Sequence, residues 1–154
     1  MSVKFTKVFA AFSFMVATFS VSASDSLQGI PGTYKLVGVN QSELPAVSWI
    51  GPDEDCKQET LGGTLLVGSE NRWAALVEER EFCAETSEES STMMEGASIF
   101  TGTYKVSGNI IEFHNEELGG TDHGSLENDV LQYTVNGILD YKGQTTVFVF
   151  VRNK

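Results

Sequence analysis

Basic side chains are scarce in this chain. Its 154 residues carry ten Lys+Arg against 21 Asp+Glu, a formal net charge of −11. Such a charge repels polyphosphates and anionic lipid, which excludes nucleic acid and anionic membranes as partners. Cysteine and histidine are equally sparse, at two each, and are too few and too scattered for the clustered ligands of a zinc site. No Walker-type Gly-rich loop and no Gly-x-Ser-x-Gly elbow occurs, so no cofactor and no enzymatic activity are expected. Long apolar runs are missing too. The longest, Val8–Phe19, has 12 residues, whereas a membrane-spanning helix needs about 20.

That short run has a different meaning. A basic start containing Lys4 and Lys7, the apolar stretch Val8–Phe19 and the small-residue segment Val21-Ser22-Ala23 form the pattern of a signal peptide cleaved before Ser24. Residues 1–23 are therefore read as a signal and 24–154 as one domain. Removing two lysines leaves 8 basic against 21 acidic residues, a charge of −13. No cysteine lies near the cleavage point for a lipid anchor. The chain is expected in an oxidising compartment, where two cysteines pair most simply as a Cys56–Cys83 disulfide.

The mature part holds no sustained period of 3.6. It shows short alternating runs bounded by Gly, Asn, Asp and Ser, which predicts an all-β fold with no substantial helix. Eight strands are read, near 33–40, 61–67, 72–83, 93–106, 109–114, 121–127, 130–141 and 144–151. Tight turns at Ser69-Glu70, Ser107-Gly108, Asn128-Asp129 and Lys142-Gly143 join consecutive strands and favour an eight-stranded antiparallel up-and-down barrel. With Ser69-Glu70 as a two-residue loop, Val67 faces Arg72 and, further along, Cys56 faces Cys83. Gly32-Thr33-Tyr34-Lys35 recurs as Gly102-Thr103-Tyr104-Lys105, placing glycine where a barrel strand bends. Residues 41–60 read as one long connection. Its Trp49 and Ile50 form either a contact surface or a plug for one end of the barrel.

Several clusters are candidates for chemistry. His114 and His123 flank the connection between the fifth and sixth strands, beside Glu112, Glu116, Glu117 and Asp122, and could meet on a metal, although their spacing matches no defined motif. The acidic block Glu78, Glu79, Arg80, Glu81, Glu85, Glu88, Glu89 and Glu95 reads as a solvated hairpin face where a basic partner could dock. Calcium is disfavoured because the Asp-x-Asp-x-Asp-Gly pattern is absent. Met93-Met94 should divide between the two faces of a strand. Alternation puts Val37, Val39, Leu65, Val67, Trp73, Ala75, Val77, Phe100, Tyr104, Ile111, Phe113, Leu131, Tyr133, Phe148 and Phe150 inside.

The segments Gly32–Asn40, Leu44-Pro45-Ala46, Gly62–Val67, Gly102–Ile111 and Val147–Arg152 resemble a group of small exported bacterial lipocalin-like proteins, the calycin type of β-barrel. The resemblance implies a periplasmic or secreted barrel holding an apolar ligand. It also implies a basic residue, Arg152, lying across the ring of Tyr34, which stands where the family carries Trp. The inward aromatics Tyr34, Trp49, Trp73, Phe100, Tyr104, Phe113, Tyr133 and Phe148 are then the candidate ligand-binding residues. The expected partner is an apolar or amphipathic small molecule bound by a monomer or weak dimer. The alternatives are a protein-binding module, such as a secreted protease inhibitor presenting a loop or the arm Ser24–Pro31, and a structural envelope protein without ligand.

Overall fold

Alternating side chains and turn residues that accept a positive φ organise the chain into antiparallel strands. In the computed structural model, which describes residues 29–51, 55–84, 91–136 and 145–154, every element is a strand. They are β1 (Gly32–Val39), β2 (Ser42–Glu43), β3 (Ala46–Ile50), β4 (Cys56–Val67), β5 (Arg72–Ala84), β6 (Ser91–Ser107), β7 (Ile110–Asn115), β8 (Gly120–Glu127), β9 (Val130–Asn136) and β10 (Thr145–Arg152). From β4 to β10 each strand pairs with the next, and β1 closes the circle by pairing with both β10 and β4. The result is the eight-stranded antiparallel barrel that the alternation predicts. The segment 1–23 expected to be a signal, the turn Lys142-Gly143, and residues 137–141 of the seventh expected strand lie outside the described residues.

The expected long connection 41–60 is corrected. It contains β2 and β3, and β4 starts at Cys56. Strand β3 pairs with the upper part of β4 from Ala46↔Thr60 to Ile50↔Lys57, while β1 pairs with the lower part. A bulge between Val47 and Trp49 breaks the alternation and buries both Ser48 and Trp49. That is why the segment does not read as a strand. Val37 is a second correction: it shares the outward phase of Lys35, next to inward Tyr34 and Leu36, and is 40% exposed, while a bulge between Leu36 and Gly38 changes the phase and returns Val39 to the interior.

Two turns also differ in register. Gly68 N–H donates to Arg72 O at 2.8 Å and Asn71 has φ 58°, so the loop is Ser69-Glu70-Asn71 and Val67 faces Trp73 instead of Arg72. A three-residue loop ending in a left-handed residue is a common hairpin solution. A bulge between Thr60 and Gly62 then offsets the ladder by one residue, which brings Cys56 opposite Cys83 as expected. The two are joined as a disulfide. The next hairpin turns at Gly108-Asn109, one residue later than expected, with Gly108 at φ 65°. Asn128 and Asp129 both take positive φ, 51° and 66°, as a tight two-residue turn requires.

The disulfide ties the far ends of β4 and β5 across a separation of 27 residues. Restricting the unfolded chain over such a loop stabilises by about 3 kcal/mol. Replacing both cysteines by serine is therefore expected to lower the free energy of urea unfolding by that amount and to leave the far-ultraviolet spectrum unchanged. An unchanged midpoint would show that the paired strands alone hold this end.

One end of the barrel is closed. The Arg152 guanidinium lies 4.8 Å from the centre of the Tyr34 ring, as the resemblance implies. It donates to Asp129 Oδ1 at 2.9 Å, Pro31 O at 2.8 Å and Tyr34 Oη at 2.6 Å, and also to Gly29 O. Tyr34 in turn donates to Ile30 O at 2.5 Å, which folds Ile30 over the barrel end. Burial pushes the Tyr34 hydroxyl above its usual range, and the Arg152 charge opposes part of that shift.

Candidate functional site

Most of the barrel interior is filled by rings. Trp73 meets Phe113 edge-on at 5.5 Å, Phe113 meets Tyr133 at 5.0 Å, and Tyr133, Phe148 and Phe150 continue the stack at 6.4 and 6.5 Å. The Trp73 indole N–H is satisfied by Thr103 O at 3.0 Å and His114 O at 3.3 Å. Tyr104, Phe113 and Tyr34 are almost wholly buried. Tyr34, Trp73, Tyr104 and Phe113 are packing residues of this filled part and line no part of the cavity beyond it.

Space remains toward the other end. A cavity of about 140 Å³ is lined by residues of every strand from β4 to β10. Phe100, Tyr133, Phe148, Ala75, Val77 and Val135 give it apolar walls. Of the aromatics expected to bind ligand, Phe100, Tyr133 and Phe148 line this cavity, whereas Tyr34, Trp49, Trp73, Tyr104 and Phe113 do not. Trp49 is buried on β3, which favours the plug over the contact surface, while Ile50 is 47% exposed.

The polar part of the lining is absent from the sequence expectation. Glu79 and Asp122 both face the cavity, with Ser98, Asn115 and Gln58. Glu79 shares the inward phase of Trp73, Ala75 and Val77 on β5, so the expected solvated acidic face is corrected. Glu78 points to solvent, and Glu79 lies half-buried inside. The alternation was the available signal, masked by an acidic run that looks uniform. Glu85, Glu88 and Glu89 lie outside the described residues. Met93 and Met94 are both exposed, at 55% and 60%, because this part of β6 extends past the barrel and neither face is covered.

Each inward carboxylate has a hydroxyl partner. Ser98 Oγ donates to Glu79 Oε2 at 3.0 Å, and Tyr133 Oη donates to Asp122 Oδ2 at 2.9 Å. Asn115 Oδ1 accepts the N–H groups of Glu117 and Leu118 at 2.9 and 3.0 Å, which shapes the turn at the cavity rim. Burial raises the Tyr133 hydroxyl far above its usual range, and the Asp122 charge and hydrogen bond add to the shift. Tyr133 therefore stays a neutral donor. On the outer face, Arg80 donates to Glu59 Oε2 through Nε at 2.9 Å and Nη2 at 2.7 Å, which holds the Glu59 carboxyl below its usual range.

Burial raises the Glu79 carboxyl, and the Ser98 hydrogen bond offsets part of the effect. A carboxyl with a raised folded-state value contributes fully to folding only below its unfolded value of about 4.3, and that contribution is lost as pH rises through the folded value. Glu79→Gln is expected to raise the urea midpoint at pH 7 and to leave it unchanged at pH 3. An equal shift at both pH values would assign the effect to packing.

The two histidines sit on the outer wall. His114 faces Thr103 and Thr121, and His123 faces Glu112, beside a surface depression lined by Thr103, Lys105, Glu112, His114 and Thr121. Among the described residues, the group of three potential metal ligands within reach of one another is Cys56, Glu81 and Cys83. Its two sulfurs are consumed by the disulfide. Comparison of the chain with protein-family models, curated proteins and solved structures finds no match.

Proposed function

We propose that this protein is an exported binding barrel whose open-end cavity takes a small apolar or amphipathic molecule. The observation that carries the reading is the cavity of about 140 Å³ walled by Phe100, Tyr133 and Phe148. Its volume sets the scale of the ligand. An apolar cavity of about 150 Å³ accepts a benzene-sized group, whereas pockets for drug-sized ligands run to roughly 300–1,000 Å³. The bound portion is thus a single ring or a short branched chain, and a longer molecule would leave its remainder outside. The disulfide and the N-terminal segment 1–23 support export to an oxidising compartment. A closed eight-stranded antiparallel barrel is the fold that the lipocalin-like resemblance implies.

Thermal unfolding with toluene, indole or benzyl alcohol tests the reading. Ligand at 100 times its dissociation constant stabilises by about 2.7 kcal/mol, a readily measured shift in Tm. Ala75→Leu, which fills the cavity from its wall, is expected to remove the shift. If no compound of this size stabilises the wild-type protein, the reading fails.

A protein-binding role is favoured by one other observation. Strand β6 pairs with β7 only from Gly102 to Ser107, so residues 91–101 have no strand on that side among the described residues. Such an edge can accept an added strand. Pull-down from envelope and secreted fractions distinguishes the two, since a stoichiometric partner lost on a proline substitution at Ala97 would favour the edge.

A further inference from the structure

We infer that the cavity selects a small organic cation, an ammonium group carried on one aromatic or branched aliphatic group. The inference rests on the cavity reading and narrows it to a ligand class. Two carboxylates, Glu79 from β5 and Asp122 from β8, enter a wall that is otherwise largely apolar. They are separated in the sheet by β6 and β7, so they come from different parts of the rim. Each spends one oxygen on a hydroxyl, Glu79 Oε2 on Ser98 and Asp122 Oδ2 on Tyr133. The second oxygen of each accepts no hydrogen bond from another described residue.

The described lining contains no Lys, Arg or His. An anionic ligand would therefore meet two like charges with nothing to compensate them. A neutral ligand would fill the apolar space and leave both carboxylates uncompensated in a partly dehydrated site. An ammonium group offers three N–H donors to the unused oxygens, and a charged donor on a charged acceptor is the strong form of the bond. The same group would lie among the rings of Phe100, Tyr133 and Phe148, and aromatic rings attract cations. Volume limits the rest of the molecule to about one ring.

Three probes of nearly the same shape separate the possibilities: benzylammonium, benzyl alcohol and benzoate, titrated calorimetrically into the oxidised mature protein at pH 7. Benzylammonium is expected to bind at least about tenfold more tightly than benzyl alcohol, and benzoate not to bind. Glu79→Gln and Asp122→Asn are each expected to weaken benzylammonium to near the level of the alcohol and to leave the alcohol unchanged. The wild-type series does not depend on either variant folding. Equal affinity for cation and alcohol overturns the inference and leaves the cavity reading intact. Preference for benzoate overturns the inference, as does a benzylammonium affinity that neither variant changes. Absence of binding by all three probes overturns both readings.

Discussion

Gly102→Ala is expected to be among the most destabilising single substitutions in this protein, at about 4 kcal/mol. A Cβ at Gly102 would overlap the main-chain carbonyl oxygen of His114 and come within 2.8 Å of Trp73 Nε1. Neither neighbour yields easily. The carbonyl belongs to β7, which pairs with β6 at this position, and the indole N–H is anchored to Thr103 O and His114 O. Overpacking a well-filled site costs about 1–3 kcal/mol, and a buried donor pushed off its acceptors costs about 1–3 kcal/mol more. The sister glycine provides the control. A Cβ at Gly32 would meet the Arg152 guanidinium, at 2.6 Å from Nη1, and a side-chain terminus can move. Gly32→Ala should cost about 1–2 kcal/mol, mainly through the Arg152 contacts with Tyr34 and Pro31. Urea unfolding of both variants checks the ranking; equal costs would mean that strand β7 shifts without loss.

Phe113→Ala is expected to cost about 3–5 kcal/mol, the range for truncating a buried Phe. Its ring is fully buried and lies 5.5, 5.0 and 6.4 Å from the rings of Trp73, Tyr133 and Tyr104. Gly124 leaves the space into which the ring settles, since a Cβ there would come within 2.9 Å of Phe113 Cε2. Collapse around the gap is hindered because the neighbours are held by hydrogen bonds at Trp73, Tyr104 and Tyr133. The void therefore persists and the cost falls toward the upper end. Trp73 fluorescence and the urea midpoint report it together. A loss below about 2 kcal/mol would show that the ring stack relaxes freely.

Elements with a local cause were legible in the chain. Asn128-Asp129 sits between alternating runs, and both residues tolerate positive φ, so that hairpin has the expected register. The cysteine pair was legible for a less direct reason. The three-residue loop at 69–71 and the bulge between Thr60 and Gly62 shift the ladder in opposite senses, so the disulfide stands although Val67 faces Trp73. Bulges are where alternation fails. Those at Val37 and near Ser48 change the phase of a strand without any compositional mark, because the extra residue is paid for by pairing with a distant strand. The candidate site shows the same division. Phe100, Tyr133 and Phe148 were found by alternation, while Glu79 was hidden inside an acidic run and Asp122 beside a histidine.

The sequence by itself determined the class of the fold, the closure of consecutive hairpins, the cysteine pair and the acidic net charge. Each follows from local alternation, turn chemistry or net charge. Only the tertiary structure decided that the barrel is filled at one end by Trp73, Tyr104 and Phe113 and hollow over about 140 Å³ at the other. It also decided that, among the described acids, Glu79 and Asp122 face that space. Empty volume is set by how side chains from non-adjacent strands meet across the barrel, and strand curvature and bulges control that meeting.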